Sequence, residues 1–176
     1  TQYDLVVLAV NGRRDTWSQG KTVILDRDIA LDEGSHDFLP IPTFGGTCEG
    51  EGHTISGFSL TEEESDAGLF DTLQESAVVN RLKVVGQVLP SGTSDTIGGI
   101  VGTNYGKLVD CSFEGAVKGK DSVGGLAGIN ETTGQLVGCS FQGTVTGEHY
   151  VGGIAGQNTG SMIQCRNDGE VNTTAV

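Results

Sequence analysis

The sequence predicts an all-β fold, a parallel β-helix, on three observations. The first is a motif written three times: IGGIVG at 97–102, VGGLAG at 123–128 and VGGIAG at 151–156. Each block leads to an Asn (Asn104, Asn130, Asn158), a Cys (Cys111, Cys139, Cys165) and a Gly-x-Val (115–117, 143–145, 169–171). The block starts lie 26 and 28 residues apart and the cysteines 28 and 26, because TNYGKL in the first copy becomes INETTGQL in the second. A period of this length marks a repeat architecture. The second observation is short alternation: in KLVDCSFEGAVKG, Leu108, Asp110, Ser112 and Glu114 alternate with Val109, Cys111 and Phe113. Period 2 in runs bounded by Gly, Asn and Thr reads as strands joined by tight turns. The third is 29 glycines in 176 residues, well above the usual ~7 %. They keep phase with the repeats and do not fall at every third position, which excludes collagen. An apolar content of 36 % excludes disorder.

One such repeat cannot bury its own apolar face, whereas stacked copies can, by pairing each strand with its equivalent one coil along, about 4.8 Å away. Like residues then form ladders of Val/Ile, Gly, Asn, Cys and Phe. The paired glycines, Gly99, Gly125 and Gly153 among them, are expected where coils turn sharply or another backbone comes close. Asn104, Asn130 and Asn158 suit a turn with left-handed dihedrals, their stacked amides bonding between coils. Because they recur in phase, a structural role is favoured over ligand binding.

The elements follow in order. Residues 2–11 (QYDLVVLAVN) read either as a short capping helix across the open end of the first coil or as a first strand, since Leu5-Val6-Val7-Leu8 has mixed propensity. Residues 12–20 are a loop with Trp17 as a packing anchor, 21–96 irregular coils of unequal length, and 97–176 three regular repeats, all in one domain without a linker. Five to six coils would make a rod of roughly 25–30 Å. The sequence has no start methionine, signal peptide or transmembrane run, and Thr173 stands where copies one and two have Gly119 and Gly147. The expectation is a fragment of a larger protein, continued by further domains.

The pattern VGG-hydrophobic-x-G-x-N, then Cys and G-x-V, resembles the GLUG repeat of bacterial surface proteins. Upstream, TVILDRDIAL (22–31), FLPIPTF (38–44), GTCEGEGHTISGFSL (46–60) and AGLFDTL (67–73) are similar to the region that precedes such repeats. The resemblance covers about residues 3–171 and extends to the N-terminal region of immunoglobulin A1 metalloproteases and to adhesin-like proteins. The chain departs from it at Cys48, Glu49 and Phe38, which read as packing substitutions. The resemblance implies a right-handed β-helix, an N-terminal capping helix and an extracellular or bacterial cell-surface location. It implies no catalysis, and no HExxH is present.

Net charge is −13, which argues against nucleic-acid binding and against attraction to anionic membranes. Glu62, Glu63, Glu64 and Asp66 are the weak candidates for calcium. A solvated loop is the simpler reading, because neither an EF-hand nor a GGxGxD nonapeptide is present, and no metal is expected. Cys111, Cys139 and Cys165 occupy one repeat position and are expected as buried, unbridged and inert thiols. Their ladder suits neither disulfide geometry nor tetrahedral zinc. His36, His53 and His149 are scattered, and no GxSxG, P-loop or dinucleotide motif occurs.

No catalytic or cofactor-binding residue is therefore assigned. The expected function is a non-catalytic structural and interaction module, an adhesin segment or rigid spacer. Its partners would be host glycans or extracellular proteins, met by outward residues such as Glu114, Lys118, Gln142, Thr144, Asp168 and Glu170. The alternative is a polysaccharide-cleaving β-helix enzyme or an accessory domain of a secreted protease. The first is disfavoured because the regular coils hold few bases, Lys107, Lys118, Lys120 and Arg166, none beside a carboxylate cluster. Ice binding fails because only Thr144-Val-Thr146 fits a Thr-x-Thr array.

Overall fold

Short strands of β-branched and aliphatic residues, each broken by Gly or Asn, can satisfy their backbone only by pairing with the next copy. That is what the chain does. The structure is a computed structural model describing residues 1–31, 40–62, 65–91 and 94–174. The backbone winds as a parallel β-solenoid of about five turns with four walls. One complete turn contains Thr96–Gly98, Val101–Asn104, Lys107–Val109 and Ser112–Lys118. These join, in that order, a four-stranded, a five-stranded, a six-stranded and a seven-stranded wall. Every strand pairing is parallel and runs between consecutive turns.

Register explains why copies of unequal length can stack. Asn104 pairs with Asn130, and past the insertion Lys107 pairs with Gln135. The two extra residues are absorbed in the turn, where Glu131 N–H donates to the Asn104 carbonyl and Gly134 N–H to the Glu131 carbonyl. The strands on either side of this insertion stay in register, so their inward and outward side chains keep their faces.

The interior is filled by ladders. Val23, Cys48, Val79, Leu108, Leu136 and Met162 form one inward column of the six-stranded wall. On the seven-stranded wall Phe113 stacks on Phe141, with centroids 6.3 Å apart and planes 7° from parallel. The bend between the four- and five-stranded walls makes room for these rings by having no side chain. A Cβ on Gly99 would lie 2.4 Å from Phe113 Cγ, and one on Gly125 would lie 2.3 Å from Phe141 Cγ. Each glycine thus receives the ring of its own turn, and neither can gain a methyl group without moving it.

The first coil is closed by α1 (Gln2–Asn11). Thr1 and Asp4 form a capping box at its start, and Leu5, Leu8 and Ala9 are buried against the coil. The capping-helix reading of residues 2–11 therefore holds over the strand reading. Tertiary burial of that stripe decides what propensity leaves open. Trp17 packs on the core and carries the Lys21 ammonium 5.0 Å above its ring. Ser18 is buried and accepts from Gly45 N–H at 2.8 Å.

One expectation needs correction. Asn104, Asn130 and Asn158 are not in the left-handed region; they close extended strands. A left-handed residue recurs instead just after the six-stranded wall: Arg81 (φ 48°), Asp110 (51°), Gly138 (65°) and Gln164 (54°). The sharp bend comes between the six- and seven-stranded walls, and three of its four residues pay a Cβ penalty of roughly 1 kcal/mol that glycine avoids.

Candidate interaction faces

The recurring polar residues point inward. Asn104 Nδ2 donates to Asn130 Oδ1 at 2.7 Å, and Asn130 Nδ2 donates to Asn158 Oδ1 at 2.7 Å. Each Nδ2 also meets the carbonyl two or four residues on, of Gly106, Gly134 and Gly160. Asn104 and Asn130 are fully buried. A buried amide costs free energy unless paired, and here each amide pairs with the next. The ladder is thus a polar spine that fixes coil register, with the amides of Asn104 and Asn130 spent on it and that of Asn158 exposed at its end.

The cysteines line the same interior. All four are free thiols. Cys111 Sγ donates to the Val79 carbonyl at 3.3 Å, Cys139 to Leu108 at 3.6 Å and Cys165 to Leu136 at 3.3 Å, each a carbonyl one coil back. The contact of Cys139 with Cys111, together with burial, holds its thiol well above the ordinary range, and burial is the main cause that raises Cys165, with Cys139 adding to it. Cys48 is pushed up to about 12 by burial, with the charge of Glu49 adding to it.

The outer walls carry the accessible chemistry. The glycines of the seven-stranded wall stack, Gly86 with Gly115 and Gly115 with Gly143. A Cβ on Gly143 would lie 1.8 Å from the Gly115 carbonyl oxygen. Gly86 and Gly115 of this column, with Gly57 and Phe58 before them, floor a furrow of about 590 Å³ running along the rod, rimmed by Ser59, Val85, Gln87 and Glu114. Glu114 is held by Lys83 at 3.2 Å. A second cleft of about 530 Å³ lies between the loop after α1 and the five-stranded wall, with Arg13, Asp15, Gln74, Glu75 and Tyr105 around it.

Of the outward residues named from sequence, Glu114 pairs in register with Gln142, and Thr144 with Glu170. Lys118 is exposed, and Asp168 is engaged by Arg166 at 2.7 Å. Among the calcium candidates, Glu63 and Glu64 lie outside the described residues, as do His36 and Phe38. Glu62 is exposed, while Asp66 is half-buried in a strand. Among the described residues no group of three or more His, Cys, Asp or Glu is arranged to hold a metal ion. His53 and His149 each sit against one carboxylate, Asp28 at 3.1 Å and Asp121 at 2.8 Å. The Thr54 N–H, more than His53, holds the Asp28 carboxyl below the usual range.

Sequence reasoning missed Ser59, Val85 and Gln87. The signal was available: Gly86-Gln87-Val88 is a further Gly-x-Val, outside the three copies read as regular.

Among the described residues no helix is long and apolar enough to cross a membrane. The GLUG motif matches residues 121–146 and 147–172. Halomucin of Haloquadratum walsbyi is 34 % identical over 89 residues, half of this chain and 1 % of that protein. A protein of Evansella cellulosilytica, described as a Gly-rich membrane protein, is 30 % identical over 96 residues, 51 % of this chain and 11 % of its own length. The chain thus spans a small part of each relative. No solved structure matches it. The two matched GLUG motifs form the last two coils of the β-solenoid, and the coil before them pairs with them in register.

Proposed function

We propose that the chain is a rigid, non-catalytic module of a surface protein, spacing other parts of that protein from the surface that bears them. The observation that carries this reading is the continuity of the ladders along the rod. Four walls of parallel hydrogen bonds and a buried amide spine link each turn to the next. Bending or sliding one coil breaks several of these at once, and each buried polar group left unpaired costs about 1–3 kcal/mol. The names of the relatives, a mucin and a Gly-rich membrane protein, support a surface location.

The furrow favours a second reading, adhesion along the flank. Its Ser59 and Gln87, in register on successive turns, and Glu114 across the glycine column are neutral or acidic hydrogen-bonding groups, a surface suited to a hydroxyl-rich or extended partner. Polysaccharide cleavage is less well supported there, since among the described residues lining the furrow Glu114 is the one carboxylate, and glycosidases require a pair. The test is a binding screen of the folded chain against arrayed glycans, mucins and matrix proteins, with and without calcium. Silence across the array supports the spacer. A hit abolished by Gln87→Ala with Glu114→Ala establishes adhesion instead.

A further inference from the structure

The loop after α1 lies close against the five-stranded wall and is tied to it. A Cβ on Gly12 would lie 3.2 Å from both Ile41 Cγ2 and the Thr43 carbonyl oxygen. Half-buried Gln74 donates to the Asp15 carbonyl of the loop and, at 3.1 Å, to Thr43 Oγ1 of the wall. It also accepts from Gln19 Nε2 at 2.9 Å. The cleft of about 530 Å³ between loop and wall is therefore preformed, with no ordering of the loop left to be done on binding. Arg13 and Asp15 come to it from the loop, Glu75 and Tyr105 from the turns that leave the strands Phe70–Leu73 and Val101–Asn104.

The charges around this cleft do not satisfy one another. Elsewhere Arg27 pairs with Asp26 at 3.0 Å, Arg81 with Glu51 at 2.8 Å and Arg166 with Asp168 at 2.7 Å. Arg13 and Asp15 have the i, i+2 spacing of Arg166 and Asp168, yet among the described residues no ion pair joins Arg13 to Asp15 or to Glu75. A guanidinium only donates and a carboxylate only accepts, so one occupant must offer both acceptors and donors. Asp15 and Glu75 oppose an anionic ligand, and Arg13 opposes a cationic one. A hydroxyl donates and accepts without carrying charge. Tyr105, 37 % exposed beside these groups, offers an aromatic face to the apolar C–H face of a pyranose ring. The backbone of Phe70–Leu73 is spent on the strands either side, so recognition falls to side chains.

We propose that this cleft binds a neutral saccharide, with a sugar ring on Tyr105 and its hydroxyls bridging Arg13 to Asp15 and Glu75. The site stands on a different wall from the furrow, and it holds whether the rod spaces or adheres.

The experiment is a titration of the isotope-labelled 176-residue chain, followed by amide chemical shifts. The probes are cellotetraose, chitotetraose and mannotetraose, each up to about 20 mM, with tetragalacturonate as the acidic comparison. The expected result is saturable shifts from a neutral tetrasaccharide at Gly12, Asp15, Tyr105 and the side-chain amide of Gln74. Tyr105→Ala and Arg13→Ala, each with an unchanged circular dichroism spectrum, should weaken that binding about tenfold or more. Shift mapping on the unaltered chain locates the site without relying on either variant. No shift from any of the three neutral tetrasaccharides, shifts that map to the furrow, a preference for tetragalacturonate, or cleft binding that Tyr105→Ala leaves intact would each overturn the proposal.

Discussion

Removing the middle amide of the spine should cost far more than removing the last one. In Asn130→Ala, Asn104 Nδ2 loses its 2.7 Å acceptor and Asn158 Oδ1 its 2.7 Å donor. The Gly134 and Ser161 carbonyls lose the Nδ2 contacts they receive at 3.3 Å. Two amide–amide bonds at about 1 kcal/mol each, plus partly unsatisfied buried carbonyls, put the loss at about 2–4 kcal/mol. Asn158 is exposed, accepts one amide bond from Asn130 and donates weakly to Gly160 at 3.4 Å, so Asn158→Ala should cost under about 1 kcal/mol. Asn130→Asp is nearly isosteric, yet it turns an acceptor toward Asn158 Oδ1 and two carbonyls. It should be the worst of the three at pH 7 and partly recover at low pH, where the acid can donate. Urea denaturation followed by circular dichroism measures this, with the slope checked for constancy. At a slope of 1–3 kcal/mol/M, Asn130→Ala should lower the midpoint by roughly 1–2 M. Equal effects for Asn130→Ala and Asn158→Ala would refute the spine as a cooperative element, as would an Asn130→Ala midpoint matching the unaltered chain.

Other outcomes follow from the same geometry. Gly143→Ala should cost about 3 kcal/mol or fail to fold, because φ is 136° and the new Cβ would lie 1.8 Å from the Gly115 carbonyl oxygen. Gly52→Ala, at φ 82° with nothing within 4 Å, should cost only about 1 kcal/mol. Gln164→Gly should stabilise by up to about 1 kcal/mol, since an exposed left-handed Gln becomes the residue that Gly138 already is, and thermal melting reads the sign. Alkylation without reductant should label all four thiols in denaturant, yet leave Cys48, Cys111 and Cys139 unlabelled in the folded chain at pH 8. Cys48 also sets a pH sign: its folded pKa lies above the unfolded one. Its contribution is therefore complete below about pH 9 and lost as pH rises toward 12. A Cys48→Ala variant should lack that component of alkaline destabilisation.

The regular repeats were legible because a solenoid writes its contacts into its period. Equal residues 26 or 28 apart are neighbours, so the Asn, Cys and Phe ladders could be read before any coordinates. The bend could not be read the same way. Its left-handed residue is Arg81, Asp110, Gly138 and Gln164 in successive turns, and no residue type repeats there. The Asn, which does repeat, drew the turn assignment although its constancy comes from amide stacking. The pairing of Gly99 with Phe113 was likewise hidden. It joins a bend to a wall 14 residues further along the chain, and period alone reports contacts along the rod rather than across it. The furrow was missed for a third reason. Three of its rim residues, Ser59, Val85 and Gln87, lie in the coils before residue 97, where Gly86-Gln87-Val88 keeps the signature and the surrounding block does not.

The claim that the ladders weld the coils into one stiff unit is tested most directly by native-state hydrogen exchange resolved by residue. Amides of the inner strands on all four walls, such as Val101, Leu108, Phe113, Val123 and Ala127, should open together and only with global unfolding. They should share one free energy, with the edge coil at 151–174 opening earlier. A staircase in which each coil exchanges with its own lower free energy, independent of its neighbours, would contradict the account and leave a flexible string of repeats in place of a rod.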